Sequence, residues 1–480
     1  MRGTLSTFRS GHFGLIKVSG IKKMAKLTWT LDDLKFQLNS HPLIKGWVIT
    51  EENTYRRERY FLLEKNRLAT DQDRSIRART VSARIFVKLS KHGRQGEITK
   101  KLFFTLNLKE QIESAIEAAL QTDHQEWSLP LEIPRNLQQV FTIDPDMAED
   151  LNGVTEKLTA RIADTVQKPR KSTFNSAELF LSVLDRELHL SNGLTHRSSQ
   201  SRIYTEAAFS YEKTLKDGSK ASDEYLNSHW AVHLNQLPIE KIFEESAHRA
   251  EQSLEVTKPK TGKYPVLIDS EVLSTLLNGF VSQLWASNAY HGLPFIKRDQ
   301  ELIPDAIGDR ISLTLDPSLP FGADTTALSN QGLPQIPLKL VDQNRVIETA
   351  TDKQFGDYLG TQPNTVRGNL VIEPGQLSHQ ELTQSAPQVI EVLQFSGLFA
   401  DPNTGTFSSE IRLAKLYDNQ TGMISYIKGG SLSGSIRENF RGLKLSNSVI
   451  QRSHFSTEQP QGQGYFGPEF ALITEVSIVG

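Results

Sequence analysis

The chain has 480 residues, a formal net charge of -2 and no cysteine. Disulfides, thiolate nucleophiles and cysteine-held zinc or iron–sulfur centres are therefore excluded, and any metal would need His, Asp and Glu alone. Near-zero charge gives no global field for nucleic acid, and no apolar run reaches the roughly 18–20 residues of a bilayer span. A soluble, cytoplasmic protein is expected, and its length suggests two or three domains.

Residues 1–26 carry Arg2, Arg9, Lys17, Lys22, Lys23 and Lys26, and the first acid is Asp32. This basic extension has transit-peptide composition, but Gly11 to Gly20 makes a poor amphipathic helix. A start called too early, with Met24 the true beginning, is the preferred reading. From Gly46 to Phe104 the pattern is strand-like. Val81, Ala83, Ile85, Val87 and Leu89 alternate with polar residues, Phe86 excepted. Lys91 to Gly96 supplies a turn. Asn107 then caps a helix whose stripe is Leu108, Ile112, Ala115, Ile116, Ala119 and Leu120, with Glu110 as capping-box partner. The segments expected are 27–125, a sheet-plus-helix domain; 126–235, a central α+β segment; and 236–480, a C-terminal domain.

Leu151 to Val166 has helical periodicity, and Asn175 with Glu178 predicts a second capped helix. Asn192-Gly193 predicts a hairpin of the primed-turn type, and Tyr204 to Leu234 reads as strands. Pro238 opens a helix with Ile239, Ile242, Phe243, Ala247, Ala250 and Leu254 inward. After a strand at Tyr264 to Ile268 comes the most apolar helix. There Val272, Leu273, Leu276, Leu277, Phe280, Val281 and Leu284 recur at i, i+3 and i+4. Short strands separated by turn residues follow. The fold class expected is α+β: an N-terminal antiparallel sheet with helices, and a mainly β C-terminal domain with a buried core helix.

Local motifs fall short of chemistry. His229 and His233 lack the intervening Glu of a helical zinc motif, and on a strand they would stand roughly 13 Å apart. Glu244, Glu245 and His248 lie on an amphipathic helix and read as its solvated flank. Gly429 to Gly434 has neither the Lys of a phosphate-binding loop nor the glycine spacing of a nucleophile elbow, so a turn or bulge is expected. Between Arg56 and Lys101 there are 14 basic and 5 acidic residues. A basic hairpin could meet phosphates, but the interspersed acids favour a mixed outer sheet face.

From Pro238 onward the chain resembles the C-terminal domain of the TldD/PmbA family. Thr261-Gly262-Lys263-Tyr264-Pro265-Val266 and the helix from Glu271 resemble the family's "TGKYPVIF" strand and helix, after a helix containing Arg249. Asp316-Pro317-Ser318-Leu319-Pro320 followed by Ser329-Asn330-Gln331-Gly332 is similar to "DDPTLP … DDEG". Leu340 to Ile347 resembles "I.DG.L". Asn403-Thr404-Gly405-Thr406-Phe407-Ser408 resembles "TGDFS", with Thr406 in place of Asp. Catalytic members carry His-Glu-x-x-x-His on the core helix and a Cys near the C-terminus. Here the resemblance puts Asn278 and Gln283 at the His positions and Gly279 at the Glu position. The thiolate position falls near Leu445 to Ser448. No histidine occurs from Arg249 to Tyr290.

The resemblance therefore implies a metal-free member of the PmbA (TldE) type, without cofactor and not catalytic alone. It would pair with a TldD-type zinc-bearing subunit to degrade unfolded or leader peptides. Two alternatives are a stand-alone homodimeric scaffold and a nucleic-acid-associated modulator of DNA gyrase; membrane and nucleic-acid partners are not expected.

Overall fold

The computed structural model describes residues 29–456 and 462–480, so the basic extension and Met24 lie outside the described residues. The expected α+β class holds. Helix α1 (Leu31–Ser40) comes first, begun by Thr30, whose side chain accepts the Asp33 N–H while the Asp33 carboxylate accepts from the Thr30 backbone at 2.8 Å. Strand β1 (Ile44–Glu64) then turns back into β2 (Arg67–Lys88) through Lys65 and Asn66, both at positive φ. Two consecutive left-handed residues make the primed turn that suits the twist of a hairpin. β3 (Arg94–Leu102) pairs with β2 only from Val81 to Lys88. Helix α2 (Leu108–Ala119) follows, and Asn107 caps it by accepting the Glu110 N–H.

Beyond β1 the sheet continues through strands Thr173–Leu190, Thr195–Thr214 and Lys220–Ala231, all antiparallel. β1 and β2 have 21 and 22 residues. At about 3.3 Å per residue each runs roughly 70 Å. Helices Leu151–Val166 and Ile239–Gln252 cover one face of the long strands. Phe174, Leu179, Leu181, Ile203, Phe209 and Phe243 are buried there.

Four local expectations are corrected. Asn175 and Glu178 open no helix; they lie in strand Thr173–Leu190, where Ala177, Leu179 and Leu181 are buried and alternate with half-buried Glu178, Phe180 and Ser182. A two-residue capping match carries less information than a period-2 run. Asn175 instead accepts from Ser210 Oγ at 2.9 Å and donates to Glu224. In the Asn192-Gly193 turn only Gly193 has positive φ (+93°), and Leu190 N–H bonds Leu194 O at 2.9 Å. The connection is thus a three-residue loop ending on a left-handed glycine rather than a two-residue primed turn. Gly93 makes the turn before β3, but Gly96 lies within β3, where a Cβ would come 2.2 Å from Ala119 O. Leu120 falls past the last helical turn of α2 and is exposed.

The C-terminal half contributes to two sheets. Strands Gly262–Asp269, Phe470–Val479, Ser431–Ser435, Thr406–Asp418 and Gln388–Ala400 pair in that order, and the last pairs again with the first, closing a small barrel. The core helix Ser270–Val281 leaves the first barrel strand under Asp269, whose carboxylate accepts the N–H groups of Glu271 and Val272. Its Leu273, Leu276, Leu277, Phe280 and Val281 pack with Val266, Ile390, Ile411 and Ile473 in one apolar core. Strands Val449–Phe455, Gly462–Pro468, Asn369–Ile372, Leu313–Asp316, Leu338–Asp342 and Arg345–Val346 instead extend the N-terminal sheet, which with His124–Gln125 at its other edge has 13 strands among the described residues. Among the described residues the two parts of that sheet meet through one residue pair, Ser453 opposite Trp230.

Candidate functional site

The core helix has a second face. Glu271, Ser274, Thr275 and Asn278 recur at i, i+3, i+4 and i+7, opposite the buried leucines, and so project together. They form one wall of a cleft of about 90 Å³, and His229, Trp230, Arg452, His454 and Tyr465 contribute to the other side. This space holds a few waters or the tip of one side chain.

Arg452 organises the cleft. Its Nε donates to Ser270 Oγ at 3.1 Å, and its Nη1 lies 3.4 Å from His229 Nδ1. His229 Nε2 is 2.8 Å from the Gln236 carbonyl, which can only accept, so Nε2 carries the proton and Nδ1 faces the guanidinium as acceptor. Burial, and then the Arg452 charge, push the imidazole down to about 4. A depressed folded-state value means that the neutral ring stabilises the fold above the ordinary 6.5. That contribution is lost as pH falls toward 4. Imidazole proton–nitrogen NMR should therefore find the Nε2–H tautomer of His229 at pH 5, and a doubly protonated ring at that pH would refute the geometry. On the opposite wall, burial and then neighbouring Asp269 raise the Glu271 carboxyl, against the pull of Arg452. The Tyr465 hydroxyl donates to Pro468 O at 2.8 Å.

Of the three degenerate zinc-motif positions, only Asn278 lines this cleft. Gln283 is fully buried in the turn after the helix. Its Nε2 donates to the carbonyls of Pro402 and Asn403 at 2.6 and 3.1 Å, and its Oε1 accepts from Arg437 at 2.7 Å. Gly279 faces Pro402, 3.7 Å from where its Cβ would be. At the thiolate position, buried Ser446 accepts the Phe470 N–H at 3.0 Å and donates to Ser448 O at 3.0 Å. A neutral amide held by three partners and a residue with no side chain do not fit a zinc site. Among the described residues no group of three or more His, Asp or Glu is placed to hold a metal. His233 does not join His229; its Nδ1 accepts the Asn235 N–H and caps a short turn.

The family-motif positions shape the surroundings. Thr261 Oγ1 accepts the Gly480 N–H, Gly262 begins the barrel strand that contains half-buried Pro265, and Gly332 at φ +83° lies tight against Leu190. Thr404 Oγ1 donates to Asp401 at 2.9 Å and also lies 2.7 Å from the Thr406 hydroxyl. Gly405, at φ +75°, rests on the Phe280 ring, and buried Phe407 enters the barrel core. Thr406, Phe407 and exposed Ser408 line an open groove of about 930 Å³ with Phe399, Lys263 and Glu475. Gly429 and Gly430 take positive φ where a turn or bulge is expected, but Ser431 to Gly434 lie in strand Ser431–Ser435, paired on both sides. His229, Arg452 and the helix's polar stripe were not singled out from the sequence as one site. The stripe had a readable signal, its 3.6-residue period opposite the apolar one.

A long antiparallel sheet beside a small barrel, with a polar cleft on the helix that leaves the barrel, defines an α+β fold. Residues 261–480 match the family described as the PmbA/TldA metallopeptidase C-terminal domain. That C-terminal segment is where the resemblance to the TldD/PmbA family is carried. Solved structures share the chain's fold over nearly its whole length. TldE from Thermococcus kodakarensis is 16% identical with a TM-score of 0.73, covering 94% of this chain and 100% of that one. A candidate modulator of DNA gyrase from Thermotoga maritima is 18% identical with a TM-score of 0.71, again over 94% and 100%. Another from Bacteroides thetaiotaomicron is 18% identical with a TM-score of 0.70, over 93% and 96%. At these identities the likeness is one of fold. No curated protein matches the chain.

Proposed function

We propose that this chain is the metal-free, PmbA (TldE)-type subunit of a TldD/PmbA peptidase that acts on unfolded or leader peptides in the cytoplasm. It would build part of the substrate-binding wall and leave the zinc to a TldD-type partner. The observation that carries this reading is the core helix itself. It keeps a polar cleft at Asn278, while Gly279 has no side chain to act as a base and Gln283 is locked into the turn at Pro402 and Asn403. The nucleic-acid alternative loses support because several of the basic residues of β1–β3 are locally paired with acids. Arg59 bonds Asp73 and Glu156, Arg79 bonds Glu51, Arg84 bonds Glu97 and Arg94 bonds Asp123. No helix among the described residues is long and apolar enough to cross a membrane.

Elemental analysis of the purified chain should find less than about 0.1 zinc per chain, well below a closed site's occupancy. Peptide cleavage should be absent with the chain alone and should appear when a His-Glu-x-x-x-His partner is added. Stoichiometric zinc in the isolated chain would overturn the proposal, and so would a mixture no more active than the partner alone.

A further inference from the structure

Two charged groups line the cleft without meeting. Glu271, exposed in the first turn of the core helix, stands on one wall and Arg452, on strand Val449–Phe455, on the other, and no ion pair joins them. Among the described residues the Glu271 carboxylate accepts no hydrogen bond. Arg452 gives one N–H to Ser270 and one to His229, so three of its five find no acceptor there. The helix wall adds acceptors. Ser274 Oγ donates to the Glu271 carbonyl at 3.0 Å, and Thr275 Oγ1 donates to the same carbonyl at 2.8 Å. With those protons committed to the helix, each hydroxyl oxygen offers only lone pairs to the cleft. One wall thus presents a carboxylate and two acceptors, and the other a guanidinium with donors to spare.

We infer that the cleft binds an α-ammonium group together with the carbonyl oxygen beside it. This unit begins a peptide at its amino end, and a free amino acid also carries it. The ammonium would lie against Glu271, Ser274 and Thr275, and the oxygen would accept from Arg452. Covalent geometry keeps that nitrogen and oxygen about 3 Å apart, a size suited to a space of about 90 Å³. Other ligands match only half of the cleft. A lone carboxylate or phosphate would face Glu271, and a lone lysine ammonium would face Arg452. An internal peptide group brings no charge for either. The inference rests on the peptidase reading only in making a peptide the expected source, since binding needs neither zinc nor a partner subunit.

The isolated chain is titrated at about pH 6.5, where α-amino groups are ionised, with trialanine amide, its N-acetylated form and L-alanine. Calorimetry reads affinity, and the imidazole resonances of His229, which bonds Arg452, read location. Trialanine amide should bind and shift those resonances, and acetylation should weaken binding at least about tenfold by removing the charge. Glu271→Gln should weaken the free-amino peptide about tenfold and leave the acetylated one unchanged. Thr275→Val, which removes one acceptor, should weaken it about threefold. L-Alanine binding as tightly as the peptide would uphold the inference with a free amino acid as ligand; alanine at least about tenfold weaker would uphold it with a peptide's amino end. Equal binding of free and acetylated peptide, no saturable binding below about 10 mM, or indifference to Glu271→Gln would overturn it. Free-amino binding by a chain that adds no activity to a His-Glu-x-x-x-His partner would uphold this site and refute the peptidase role. Added activity with equal binding of both peptides would do the reverse.

Discussion

Phe280→Ala should destabilise the C-terminal half by about 3–5 kcal/mol, the range for deleting a fully buried aromatic ring. Phe280 is 1% exposed and lies where the core helix meets the turn at Asp401 to Thr406. Gly405 rests on its ring so closely that a Cβ there would come within 3.1 Å. Arg437 covers the ring at 5.1 Å and also holds Gln283, which holds the carbonyls of Pro402 and Asn403. Emptying the ring's volume thus removes the seat of both the guanidinium and the glycine turn. Urea unfolding measures the loss, and a change below about 1 kcal/mol would show that the helix is not the packing centre.

The second large effect depends on pH. Glu391, on barrel strand Gln388–Ala400, is 6% exposed and meets His379, Tyr417 and Lys415. Burial alone would raise its carboxyl. The hydrogen bonds from His379 and Tyr417 and the charge of Lys415 outweigh burial and hold it at about 2, against an ordinary 4.5. A depressed folded-state value stabilises the fold above the unfolded value, and that stabilisation disappears as pH falls from about 4.5 toward 2. The gap corresponds to roughly 3 kcal/mol. Glu391→Gln should therefore be less stable than wild type by on the order of 2–3 kcal/mol at pH 7, and the difference should close near pH 2. Denaturant midpoints across that range decide it; a difference that persists undiminished at the acid end would contradict the ion network.

What the sequence disclosed depended on how local the cause was. The stripes of Leu151–Val166, Ile239–Gln252 and Ser270–Val281 were legible because a helix repeats its buried face every few residues. Strand Thr173–Leu190 was misread at its start because Asn175 and Glu178 imitate a cap, although their real partners stand on neighbouring strands. β1 and β2 read as strand-like, yet their length was hidden. Arg67 to Arg79 show no buried alternation, and only pairing with β1 makes them a strand. The family resemblance located Asn278, but nothing local could show that Gln283 faces a loop some 120 positions away. His229 and Arg452, 223 positions apart, meet only through the sheet's topology.

The cleft sits over the junction of the two groups of strands in the long sheet. Among the described residues the Ser453–Trp230 pair alone joins them, and both residues also line the cleft. A ladder of many rungs resists a change in the angle between its strands, whereas one rung acts as a pivot. Rotation of the C-terminal strands about it would carry Arg452 and His454 relative to His229 and alter the aperture above Asn278. The width of that aperture would then depend on the packing of whole layers on either side as well as on the residues that line it.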